Sequence, residues 1–253
     1  MTSPGLQEVL ISLALVAIAI AVTRYWKLPV VKDMAVGSVR AFIQLIAVGY
    51  ALHFIFDLEN PWLIHLAIAI MVTVGAHASA SRMNGLKGAF PLALVSIMIG
   101  SMTTLGSMLA LQIINFEARY IIPLAGMIIG NSMNVSALAV DRLTSDIRGN
   151  RLAIETSLAL GKSWRVAVLD FQKAAARAGM MSILNFMKTV GIVALPGAMT
   201  GMILGGAEPL DAVYLQLIVA YMLLAANAIT SVVAVELTVW KFFTKNHQLK
   251  REV

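Results

Sequence analysis

The chain has 253 residues, of which 59% are hydrophobic and only 13% charged, with a net charge of +6 and no cysteine. A soluble domain carries about a quarter of its residues as charge, so this composition excludes a water-soluble globule and points to an integral membrane protein. The absence of cysteine excludes a disulfide framework, thiolate metal ligands and a cysteine nucleophile. The basic excess reads as charge gathered on the cytoplasmic side of a membrane, not as a nucleic-acid-binding surface.

A transmembrane helix needs about 20 mostly apolar residues, and seven stretches qualify. The first covers residues 9–22 and extends through Leu6 and Tyr25; Arg24 follows it, the reverse of the charge order in a cleaved signal peptide. The others cover roughly residues 35–56, 62–80, 89–114, 120–140, 181–205 and 213–240. The predicted fold is therefore all-α: a polytopic membrane protein with about seven transmembrane helices in a single domain, 1–253, whose long non-membrane segment is 141–179.

Loop charges set the orientation. Basic residues gather in alternate connections: Arg24, Lys27 and Lys32; Arg82 and Lys87; Arg142, Arg148, Arg151, Lys162, Arg165, Lys173 and Arg177; and the tail with Lys241, Lys245, Lys250 and Arg251. The other side holds Glu8, Asp57, Glu59, Glu117, Glu208 and Asp211, with Arg119 its one basic residue. This segregation predicts an external amino terminus and a cytoplasmic carboxyl terminus.

Within the long segment, "TSLALGKSWR" (residues 156–165) contains the Gly-Lys-Ser that closes a phosphate-binding P-loop. A P-loop needs a glycine five positions earlier and flexible backbone between. Here position 156 is threonine, and Leu158, Ala159 and Leu160 are helix formers. No apolar strand precedes them; "DRLTSDIRGNRLAIE" reads as a helix exit and a charged loop. Nucleotide binding by this chain is rejected. The stretch reads instead as a short helix from Ile154 to Leu160, ended by Gly161, with Ser163 capping a second, amphipathic helix from Trp164 to about Arg177. The turn between them is a projecting knob suited to a partner's groove.

Glu155-Thr156-Ser157, three residues and Gly161 resemble the Glu-Ala-Ala-x-x-x-Gly loop of ABC transporter permeases, without the Ile-x-Leu-Pro tail at its usual distance. The strings "IIPLAGMIIGNSMN" (121–134), "KTVGIVALPGAMTGMILGGAEPLDA" (188–212), "SLALGKSW" and "FFTKNHQL" resemble the bacterial iron-export permease family known as FetB. Plant aluminium-sensitivity membrane subunits are similar too. The resemblance covers nearly the whole chain. It implies an ABC exporter permease for iron or another metal ion, working as a two-plus-two assembly with a separate cytoplasmic ATP-binding subunit. ATP and Mg would sit on that partner, with no cofactor bound here. Glu155, Thr156, Ser157, Leu158, Leu160, Gly161 and Lys162 then form the docking segment, with Gly161 as hinge and Leu158 and Leu160 as anchors.

Polar groups inside the bilayer are costly and mark functional candidates. Asn131 and Asn134 share a helix face; packing glue, favoured by the Gly126–Gly130 spacing, and substrate path both stay open. Lys188, with Asn185 one turn before it, has three readings: snorkelling to the interface, an ion pair with Glu236, or ligand contact. Pro196, with Gly197 beside it, kinks its span, either as a static bend or as a flexing point. His53 and His65 flank an external loop with Asp57 and Glu59, a weak metal candidate matching no ligand motif. Methionines 127, 133, 199 and 202 read as packing.

Export of a sugar nucleotide or another anionic cargo is an alternative within the same class. A secondary transporter is another, but no span centre holds the Asp or Glu that proton coupling uses. An intramembrane enzyme would need a His-Glu-x-x-His or Ser-His arrangement, which the spans lack.

Overall fold

The computed structural model describes residues 5–58, 60–83, 85–244, 246 and 248–250. Glu59, Lys245, His247 and Arg251, used in the charge and motif readings, lie outside the described residues, as does the side chain of Asp57. The described elements are helices α1 (Leu6–Tyr25), α2 (Val31–Leu58), α3 (Pro61–Ala80), α4 (Ala89–Ala110), α5 (Ala118–Gly149), α6 (Arg151–Ala159), α7 (Trp164–Thr189), α8 (Gly197–Leu204) and α9 (Pro209–Phe242). Beyond them, the described residues hold isolated bridges at Val190–Ala194 and Phe243–Leu249, and no strand.

The chain divides into two compact units, residues 1–59 and 60–253. The first is the hairpin of α1 and α2, where the Thr23 hydroxyl lies 3.6 Å from the Met34 sulfur. The second contains α3 to α9.

Among the described residues, six helices are long and apolar enough to cross a membrane: α1, α2, α3, α4, α5 and α9. The seventh expected span, 181–205, is not a continuous helix, and Pro196 does not kink one. α7 already begins at Trp164 and runs past the expected end near Arg177 to Thr189. It stops where Val190 turns extended and Gly191 takes φ +82°, a conformation that glycine adopts at little cost. The amides of Val193 and Ala194 turn back to the Thr189 carbonyl. Proline keeps the residue before it out of the helical region, and Pro196 itself is the N-cap of the short α8, accepting from Thr200 N–H.

The charged stretch expected as a loop after residue 140 also differs. α5 continues without interruption to Gly149, and α6 starts at Arg151. Paired charges support this extension outside the apolar part, with Arg142 Nε donating to Asp146 at 2.8 Å, an i,i+4 pair.

In the second unit, small residues bring helices together and buried hydroxyls join them, as membrane bundles require. A Cβ on Gly100 would lie 2.0 Å from Thr230 Oγ1 and 3.2 Å from the Ala226 carbonyl, so α4 and α9 touch backbone to side chain. On Gly179 of α7 it would lie 3.0 Å from Val135 O and Ala139 Cβ of α5 and from Ser231 Oγ of α9. Thr230 donates to Ser132 at 3.0 Å, Ser79 bonds Ser136 at 2.7 Å, and Ser231 donates to the Ala176 carbonyl at 2.9 Å.

These contacts fix register. α3 and α5 run the same way, with Met71 against Gly126, Gly75 against Ile129 and Ser79 against Ser136. α7 runs antiparallel to α9 through Trp164–Phe243, Gln172–Glu236 and Ala176–Ser231. At one end of this unit the basic residues meet carbonyls: Arg148 bonds Gly85 O at 3.2 Å, Lys241 bonds Lys87 O at 3.1 Å and also Gly88 O, and Arg151 bonds Lys250 O at 3.3 Å.

Candidate functional site

The turn between α6 and α7 lies at this basic end. α6 closes on a Schellman motif: the Lys162 amide donates to Ser157 O at 3.2 Å and the Gly161 amide to Leu158 O at 2.9 Å. Gly161, at φ +85°, is the left-handed residue that the motif needs, and no heavy atom lies within 4 Å of where its Cβ would be. It ends the helix as the sequence suggests. Ser163 is the N-cap of α7 in position, but its hydroxyl makes no cap hydrogen bond.

Around this turn the expected docking residues divide. Leu160 projects, 78% exposed, and Gly161 and Lys162 are exposed beside it. Leu158 and Ser157 are half-buried, so Leu158 presents less apolar surface than Leu160. Glu155 is held by Arg151 Nε at 2.8 Å, and Thr156 donates to Leu152 O at 2.8 Å. Leu152, outside the expected docking segment, is also 78% exposed. With α6 starting at Arg151, Leu152, Thr156, Ala159 and Leu160 fall at i, i+4, i+7 and i+8 on one face; a helix started at Ile154 hides that stripe. The opposite side is anchored by Ile154 and Val168, both essentially buried. Trp164 stacks on Phe243 at 5.7 Å and 18°, and the Arg165 guanidinium lies 5.2 Å from the Trp164 ring centre.

The four expected path residues do not behave alike. Asn131 donates to Met127 O of its own helix at 2.9 Å. Asn134 accepts from Arg82 at 2.7 Å, tying α5 to the chain just past α3. Only the second of these bonds joins separate elements; that of Asn131 stays within α5. Asn185 and Lys188 are exposed on α7 and bond no described residue through their side chains. Of the three readings of Lys188, the pair with Glu236 is not seen among the described residues: Glu236 accepts from Gln172 at 3.1 Å and from Trp240 at 2.9 Å. Gln172 is 16 residues from Lys188 on the same helix, about 24 Å away.

His53 belongs to the first unit and His65 to the second. His65 Nδ1 lies 2.8 Å from Pro61 O, and its ring is 5.7 Å from that of Phe116. It borders a cavity of about 360 Å³ whose other walls, including Val72, Met98, Leu105 and Ile121, are largely apolar. Among the described residues no three His, Cys, Asp or Glu side chains group to hold a metal.

A bundle of long apolar helices joined by buried hydroxyls, with an exposed interhelical turn at its basic end, defines a multi-pass helical membrane protein. The profile described as "Uncharacterised protein family (UPF0014)" matches residues 6–243, and the chain belongs to that family. It is 36% identical over 249 residues to "UPF0014 membrane protein STAR2" of Oryza sativa subsp. japonica, covering 98% of this chain and 87% of that one. It is 36% identical over 249 residues to "Protein ALUMINUM SENSITIVE 3" of Arabidopsis thaliana, covering 98% and 91%. It is 32% identical over 243 residues to "Probable iron export permease protein FetB" of Escherichia coli (strain K12), covering 96% and 94%. No solved structure gives a significant match. These likenesses support a multi-pass membrane permease.

Proposed function

We propose that the chain is the permease subunit of an ABC exporter, driven by a separate cytoplasmic ATP-binding subunit that carries the ATP and Mg. Two copies of each subunit make the complex, with the amino terminus outside and the carboxyl terminus in the cytoplasm. Iron or another metal ion is the cargo class that the likeness to the iron export permease favours. The observation that carries the reading is the α6–α7 turn: an apolar tip, Leu160 with Leu152, held rigidly at the basic end by Ile154, Val168 and the Trp164–Phe243 stack. An exposed leucine pair on a rigid helix suits a hydrophobic groove on a partner.

Copurification with the candidate ATP-binding subunit tests it. The wild-type pair is expected to elute together and hydrolyse ATP, and Leu160→Glu and Leu152→Glu to dissociate it while the permease alone keeps its elution volume and melting temperature. A permease that binds no such subunit, or glutamate variants that bind as wild type, would overturn the proposal.

A further inference from the structure

α7 has two faces of opposite character. Val168, Ala175, Gly179 and Ile183 are buried against α5 and α9. The opposite face carries Lys173, Arg177 and Lys188, at i, i+4 and i+15, with Asn185 at its edge, and all four are exposed. Neither Arg177 nor Lys188 makes a side-chain bond or ion pair with a described residue. Lys173 lies 4.0 Å from Asp170, the one acidic residue of the helix against four basic ones.

With the midpoint of α3 set at the bilayer midplane, the register puts this face at hydrocarbon depth. α3, with 20 residues, is about 30 Å long, one hydrocarbon thickness, and its midpoint is near Met71. Met71 meets Gly126 of α5. Six residues further, about 9 Å, Ser132 bonds Thr230, and the next residue, Ser231, bonds Ala176 of α7. Ala176 therefore sits about 9 Å from the midplane on the basic side, and α7 crosses the midplane near Ser182. Arg177 lies about 8 Å to one side of it, Asn185 about 4 Å and Lys188 about 9 Å to the other. Charged side chains at that depth are costly against lipid unless they snorkel to the headgroups, and basic residues on both sides of the midplane along one face favour a water-lined surface. A second copy related by a two-fold axis beside this face would set like charges against like, an arrangement that an intervening anion would stabilise.

We infer that this face of α7 lines the transport path and that the cargo crosses as an anion: for a metal, an anionic complex and not the bare cation. The inference deepens the permease reading and rests on it for the word cargo, but its test needs no ATP-binding subunit. The full chain, free of native cysteine, is reconstituted in vesicles as Asn185→Cys, Lys188→Cys or Val232→Cys, the last an exposed site on the apolar surface of α9. Each is treated with a sulfonate-bearing and with a trimethylammonium-bearing methanethiosulfonate, and rates are normalised to a free thiol.

Asn185→Cys and Lys188→Cys are expected to react at least about tenfold faster than Val232→Cys. At Asn185→Cys the anionic reagent should lead the cationic one by about tenfold, a lead that Arg177→Gln reduces. Unchanged melting temperatures exclude misfolding as the cause. Both α7 sites as slow as Val232→Cys would overturn the path, and a cationic reagent as fast as the anionic one would overturn the cargo charge. If labelling succeeds while no ATP-binding subunit copurifies, the ABC reading fails and the anion path stands. If the complex forms but labelling fails, the reverse holds.

Discussion

Trp164, the first residue of α7, stacks on Phe243, the residue just past α9, with ring centres 5.7 Å apart and planes within 18°. The pair joins the exposed turn to the longest helix of the bundle. Such a stack contributes about 0.5–1.5 kcal/mol beyond the area it buries. Trp164→Ala is expected to keep the ATP-binding subunit attached, because Leu152 and Leu160 are untouched, yet to lower cargo export per ATP hydrolysed. Parallel assays of ATP turnover and vesicle transport measure this; an unchanged ratio would deny the stack a role in transmission.

Gly161 tests the turn itself. With open space where its Cβ would be, only backbone strain opposes a side chain at φ +85°. Gly161→Ala should cost about 1 kcal/mol, weakening partner affinity roughly fivefold if the strain is relieved by deforming the turn. Gly161→Asn should cost less, since asparagine tolerates this conformation. Gly149→Ala, also in open space but at ordinary φ, is the matched control. Titration with the partner by calorimetry reads all three, and equal affinities would remove the Schellman geometry from the docking account.

The tightest helix contact lies elsewhere. Gly100→Ala forces a methyl to 2.0 Å from Thr230 Oγ1, whose hydroxyl is committed to Ser132. Overpacking of this kind costs about 1–3 kcal/mol, and a lower melting temperature in detergent is expected. Thr230→Ala should rescue Gly100→Ala only in part, because the Ala226 carbonyl still lies 3.2 Å away. Full rescue would mean that the hydroxyl alone sets the helix spacing.

The asparagines separate structure from path. Asn134→Ala loses its bond to Arg82, and about 1 kcal/mol of stability is the expected cost, with transport per folded molecule unchanged. Asn185→Ala, with no side-chain partner to lose among the described residues, should leave the melting temperature alone and slow transport severalfold. The opposite pattern in the two assays would exchange the roles assigned to them.

Much of this arrangement can be read along the chain, and the failures share a cause. Long apolar runs, the charges between them and Gly161 declare α1 to α5, α9 and the turn, because lipid and glycine conformation act locally. Residues 181–205 mislead for the same reason: apolar composition fills a window whether or not the backbone is helical, and the break follows from Gly191 and Pro196 acting together. The helical extension of α5 past residue 140 rests on charge pairs that hydropathy ignores. Leu152 depends on where α6 begins. That Asn134 is occupied while Asn185 is not depends on Arg82, 52 residues away from Asn134, and no spacing rule reaches that far.

α5 and α9, with 32 and 34 residues, are about 48 and 51 Å long, against a hydrocarbon layer of about 30 Å. The surplus carries the α6–α7 turn clear of the lipid headgroups, as a handle stands off a blade. Tilting such a rod by about 5° around the bilayer centre moves its tip about 2 Å or more, at a radius of about 25 Å. A partner that tilted the rods from the α6–α7 turn would change the angle of the Gly100–Thr230 crossing more than its distance. There Thr230 would turn against Gly100 of α4 while its buried hydrogen bond to Ser132 of α5 holds.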